Sequence, residues 1–110
     1  MPKNYQNAQN YLNDLYVFKD KKEIKSINLE GKELEGPLDL KGFPNLELLS
    51  LKNNQISEVD VGQCRKLKHL ELTENNNLTK LTVYDLNFFE RLIADTGTLK
   101  KSSFFGGESE

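Results

Sequence analysis

Apolar residues recur along the chain as a hexad, apolar-x-x-apolar-x-apolar. It reads Ile24-x-x-Ile27-x-Leu29, Leu46-x-x-Leu49-x-Leu51, Leu67-x-x-Leu70-x-Leu72 and Phe89-x-x-Leu92-x-Ala94. The first positions lie 22, 21 and 22 residues apart, and the agreement continues past the hexad. Leu34, Ile56 and Leu78 share one column, and Leu38, Val59 and Leu81 the next. Leu40, Val61 and Val83 follow, then Phe43, Cys64 and Leu86. A fixed period of this length marks coils that stack on one another, because a single coil has nothing else against which to bury its apolar columns.

Within each hexad the two-residue alternation of a strand sends the apolar positions inward and the intervening ones outward. Stacking then predicts a parallel sheet. The alternations Leu38-Asp-Leu40, Val59-Asp-Val61 and Leu81-Thr-Val83 predict a second, shorter extended segment on the opposite side of each coil, favoured by β-branched residues over a helix. Little chain remains between these segments, so that convex side is expected to be extended and irregular. Before the repeats, Tyr5, Ala8, Leu12 and Leu15 fall on one helical face, with Asn4 as the expected N-cap. Such a helix would cover the apolar side of the first coil.

The hexad continues in the second copy as Leu46-xx-Leu49-x-Leu51-xx-Asn54-x-Ile56, which resembles the leucine-rich repeat family with its LxxLxLxxNxL pattern. The third copy is read with one extra residue before its asparagine, Leu72-xxx-Asn76-x-Leu78, and in the first copy Lys32 replaces the asparagine. The resemblance covers residues 24–99. The fold class expected is α/β, a short solenoid of about four coils with a parallel concave sheet and an N-terminal capping helix. Residues 1–23 are assigned to the cap and its connector, 24–99 to the repeats and 100–110 to a flexible tail. The run from the short helix through LEGPLDLKGFPNL is also similar to leucine-rich segments of fungal proteins, which can accompany kinase-like domains. That similarity implies, as an alternative, a regulatory or targeting fragment of a larger signalling protein.

Composition narrows the chemistry. The 110 residues carry 15 Lys and Arg against 17 Asp and Glu, a formal net charge of -2, and one cysteine. The overall balance predicts neither nucleic acid nor a membrane surface as partner. A single Cys64 forms no intramolecular disulfide and no cysteine zinc site, so packing must hold the fold. Without a signal-like or membrane-spanning apolar run, the expected location is cytoplasmic.

No catalytic constellation emerges. Cys64 belongs to an inward column and is expected to be a small buried apolar residue. His69, the one histidine, occupies an outward strand position, so the two are not expected to form a thiol–imidazole pair. Metal-ligand spacing and phosphate-binding glycine fingerprints are missing, and no cofactor is expected. The sequon Asn77-Leu-Thr79 is taken as incidental. Asn54 and Asn76 are expected to turn inward and satisfy backbone groups where the chain leaves each strand.

Function is therefore expected on the outward columns of the concave strands. One column holds Ser26, Leu48, His69 and Arg91, the next Asn28, Ser50, Glu71 and Ile93, and the third Glu30, Lys52, Thr73 and Asp95. Leu48 and Ile93 would be exposed apolar groups among polar ones, as in many protein contacts. Resemblance to leucine-rich repeats likewise implies a non-enzymatic module that binds a protein or peptide. At the far end, Leu99, Phe104 or Phe105 is expected to fold over the last coil, or the uncovered edge to support weak self-association.

Overall fold

The structure, a computed structural model, describes residues 5–84, 91–93 and 103–106. Among these described residues, nine strands, one α-helix and one turn of 3-10 helix follow in the order β1 (Gln6–Asn7), α1 (Ala8–Leu15), the 3-10 turn (Lys21–Glu23), β2 (Ser26–Asn28), β3 (Leu34–Asp39), β4 (Leu48–Ser50), β5 (Gln55–Val61), β6 (His69–Glu71), β7 (Lys80–Val83), β8 (Arg91–Ile93) and β9 (Ser103–Gly106). The even-numbered strands, cut from the hexads, form a four-stranded sheet in the order β2-β4-β6-β8. The odd-numbered strands form a five-stranded sheet in the order β1-β3-β5-β7-β9. Both sheets are parallel throughout. The chain thus winds as a flattened solenoid that alternates between two sheets.

The core fills the space between the sheets. Ile27, Leu49 and Leu70 stand in one register, and Leu29, Leu51 and Leu72 continue it; all are at most 1% exposed. Across from them lie Leu38, Val59 and Leu81, with Leu40, Val61 and Val83 beyond, all buried. Fully burying one such side chain is worth about 1.5–3 kcal/mol, and here each is buried mainly by its copies in neighbouring coils.

The second side of the coil is more regular than the irregular surface expected. Its strands reach as far as the seven residues of β5, because their backbone groups pair from coil to coil as fully as those of the other sheet. One irregularity remains. Between Gly36 and Pro37 the register shifts, so that Gly36 faces Ile56 while Pro37 faces Glu58. Pro37 has no N–H to give the ladder and Gly36 takes a φ of +88°, which glycine adopts at little cost. Leu34, Ile56 and Leu78 are all buried as their column requires, yet the register partner of Ile56 is Gly36 and not Leu34.

The N-terminal cap differs from its expected form. The helix begins later, at Ala8, because Gln6–Asn7 first pairs with β3 as a strand; Asn7 is the N-cap, its side chain accepting from Asn10 N at 2.9 Å. Asn4 lies outside the described residues. Ala8 and Leu12 are fully buried, but Leu15 is 45% exposed, since the helix ends there and the following Tyr16 turns back onto Phe43 in an edge-on contact with ring centroids 5.3 Å apart. Gln9 fastens the helix to β3. Its Oε1 accepts from Asp39 N at 2.6 Å and its Nε2 donates to Asp39 O at 3.1 Å, so one side-chain amide does for the sheet edge what a further strand would do.

At the opposite end, Ser103–Gly106 pairs with β7 as β9. This corrects the assignment of that stretch to a flexible tail: its backbone completes the fourth coil's contribution to the five-stranded sheet. Leu99 lies outside the described residues.

Buried asparagines tie each coil to the one before it. Asn54, 2% exposed, accepts at Oδ1 from Lys32 N and Leu34 N, both at 3.1 Å, and donates from Nδ2 to Leu29 O and Leu51 O, both at 2.9 Å. In the third coil the equivalent residue is Asn75, 1% exposed. It accepts from Ile56 N at 3.1 Å and donates to Leu51 O at 2.8 Å and Leu72 O at 3.1 Å. The expectation for Asn76 is therefore corrected, since that residue is exposed. Each amide must reach the carbonyl three residues back at its own strand end, Leu51 for Asn54 and Leu72 for Asn75, which fixes the spacing before the asparagine. The extra residue of the third coil is accommodated after it. Lys32 stands where the first coil has no preceding coil to serve, so no amide is required there.

Replacing Asn54 or Asn75 by leucine should destabilise the fold by roughly 1–3 kcal/mol, the cost of leaving buried backbone groups unsatisfied. The same change at Asn76 should leave the chemical denaturation midpoint within error of the parent. An equal loss at all three positions would refute the coil-to-coil role of the two buried amides.

Candidate binding face

The outward columns on the four-stranded sheet are built by register. Ser26, Leu48, His69 and Arg91 stand side by side, as do Asn28, Ser50, Glu71 and Ile93. The third column continues past the strand ends, where Gly31 N donates to Lys52 O at 3.0 Å and Asn53 N to Thr73 O at 2.8 Å. Neighbours within a column are about 4.8 Å apart. For Arg91 and Ile93 the backbone places them in register, and Asp95 lies outside the described residues.

Exposure along these columns is uneven. Leu48 is 39% exposed, a large apolar side chain on the outer face with Ser26 and His69 as its register neighbours. Lys52, His69, Glu71 and Thr73 are half-buried. Ser50 is only 9% exposed, which departs from the expectation of an open contact residue. A short hydroxyl flanked in register by Asn28 and Glu71 is overshadowed by them. The face is thus a shallow mosaic, with Leu48 prominent and Ser50 recessed beside it.

The chain leaves β2, β4 and β6 through left-handed residues, Gly31, Asn53 and Glu74, with φ of 64°, 61° and 64°. Glycine and asparagine tolerate that conformation, whereas glutamate adopts it at a cost of about 1 kcal/mol. These turns set the distance from the strand to the buried asparagine that follows, and so fix where Lys52 and Thr73 stand.

A family model described as leucine-rich repeats, in two copies, matches residues 44–87. Over this span the chain carries leucine-rich repeats. The matched span contains β4 to β7 and both buried asparagines. No curated protein and no solved structure matches the chain. Leucine-rich repeats are typically protein-interaction modules.

The two residues that first suggest catalysis are kept apart by that scaffold. Cys64 is 3% exposed and its Sγ lies 3.4 Å from Leu40 O, in the turn before β6, whereas His69 sits on the outer face of β6. Burial first, and then the Asp39 and Asp60 carboxylates, push the Cys64 thiol from 9.0 up to about 12. A thiol held protonated in this way is a poor nucleophile. Among the described residues no group of three or more His, Cys, Asp or Glu side chains is arranged to hold a metal ion. No helix among them is long and apolar enough to cross a membrane.

Two predictions follow from the thiol. Iodoacetamide should leave Cys64 unmodified in the native protein at pH 8 and alkylate it once denaturant is added, as read by intact-mass spectrometry; rapid native labelling would contradict the burial. Because the folded thiol stays protonated to about 12 while an unfolded one ionises near 9.0, its contribution to stability is complete below 9.0 and is lost as pH rises towards 12. Cys64→Ala should flatten that alkaline decline in denaturation midpoint.

Proposed function

We propose that this protein is a non-enzymatic module that binds a protein or peptide through the outer face of its four-stranded sheet. The observation that carries the reading is Leu48, an exposed apolar side chain on a rigid strand, with Ser26 and His69 beside it in register and Lys52 and Glu71 nearby. An apolar anchor inside a polar surround is the arrangement from which protein contacts draw most of their affinity. The surround carries both signs of charge and no aromatic platform on its described strands, which favours a polypeptide over single-stranded nucleic acid. Lys52, His69, Glu71 and Thr73 would give specificity, with Arg91, Ile93 and Asp95 extending the surface along the fourth coil. With few coils the contact lies near the lower size of specific interfaces, so an affinity in the weaker range is expected.

Leu48→Asp should abolish capture of the partner from lysate, with circular dichroism and denaturation midpoint unchanged because Leu48 lies outside the core, and Arg91→Glu should weaken capture. Identical sets of captured proteins for the parent and both variants, compared by quantitative mass spectrometry, would place the contact elsewhere on the molecule.

A further inference from the structure

The net charge of -2 conceals an uneven distribution, acidic on the outside of the five-stranded sheet and mixed in sign on the four-stranded face. On the outer surface of the five-stranded sheet, β3 and β5 present Glu35, Asp39, Glu58 and Asp60, with Lys80 as the nearby cation on β7. At the corner where the chain enters the four-stranded sheet the balance reverses. Arg65, Lys66 and Lys68 are all exposed within four residues, and Arg65 lies over the Tyr84 ring with 4.9 Å to its centroid. They border a shallow recess of about 330 Å³ whose remaining walls are Glu47 and Leu67.

This corner is continuous with the face that holds Leu48. Lys25 O accepts from Glu47 N at 2.8 Å and Leu48 N at 3.0 Å; Glu47 O accepts from Lys68 N at 2.9 Å and His69 N at 3.1 Å. Lys25, Glu47 and Lys68 therefore form a column along the rim, one residue before Ser26, Leu48 and His69. A ligand seated on Leu48 meets this rim at once.

Resting on the reading that this face binds a polypeptide, we propose that the partner segment is acidic, with an apolar side chain for Leu48 and carboxylates for Arg65, Lys66 and Lys68. The acidic outer surface of the other sheet repels such a segment while the corner attracts it, so the charge distribution directs it to one side of the molecule. Glu47 argues against a continuous polyanion. It stands between Lys25 and Lys68, and a phosphate at every step of a nucleic acid strand would have to pass over it. A peptide can place an uncharged residue there.

The test uses the whole chain and a fluorescein-labelled synthetic peptide of repeating Glu-Glu-Leu, read by anisotropy. Controls are the same peptide with lysine for glutamate, labelled oligothymidylate, and vesicles containing phosphatidylserine. Binding of the Glu-Glu-Leu peptide alone is expected, weakening as salt rises from about 50 to 300 mM. The double variant Arg65→Glu, Lys68→Glu should lower its affinity about tenfold or more, while Lys32→Glu, an exposed lysine at a different turn, leaves it unchanged. No binding of the peptide, or equal binding to the double variant, overturns the proposal. Tighter binding of the oligonucleotide or of the vesicles also overturns it, in favour of those ligands. Leu48→Asp separates the two readings. If it abolishes peptide binding while the double variant does not, the face stands and the acidic partner falls; if the double variant abolishes binding and Leu48→Asp does not, the corner acts without the face.

Discussion

No coil of this protein can satisfy itself. Its leucines leave water against the leucines of the neighbouring coil, and in the first two coils the turn retains backbone N–H and C=O groups that the next coil's asparagine reaches. Asn54 closes the turn of the first coil through Lys32 N and Leu34 N, and Asn75 does the same for the second through Ile56 N. Apolar stacking supplies most of the driving force, but it is indifferent to the rotation of one coil over the next. The amides are directional, and they set the register that makes Ser26, Leu48, His69 and Arg91 a single row.

The same dependence explains the form of the N-terminal end. The first coil has no predecessor, and what replaces it is a composite: two residues of strand, a short helix that contributes Ala8 and Leu12 to the core, and Gln9, whose amide engages both backbone groups of Asp39. A helix alone would cover apolar surface but leave the edge of β3 short of partners. The strand and the glutamine complete that edge while the helix covers the core.

Much of this was legible in the sequence because periodicity reports burial. The hexads locate the four-stranded sheet and its register to the residue, and the alternations at Leu38, Val59 and Leu81 locate its counterpart. What the pattern misses are features set by hydrogen bonds. Asn75, Asn76 and Asn77 are consecutive, and spacing to the next apolar residue selects Asn76, whereas the amide's reach to Leu72 O selects Asn75. The apolar stripe of the helix suggests Leu15, but Asn7 caps it late and Tyr16 takes the contact with Phe43. At the candidate site, the columns were readable and the exposure was not. Ser50 is covered because of the size of Asn28 and Glu71 in other coils, which no local pattern contains.

The asparagines all reach backwards, and this gives the stack a polarity. A coil is finished only by the one that follows it, so a growing chain emerging from its N-terminus carries one open turn at its leading end and closed ones behind. Shortening such an array from its far end exposes a fresh turn each time, whereas lengthening it there costs no redesign of what has already been laid down. The arrangement resembles a zipper whose slider moves in one direction, and it lets the reach of the ribbed surface be adjusted by adding units at one end.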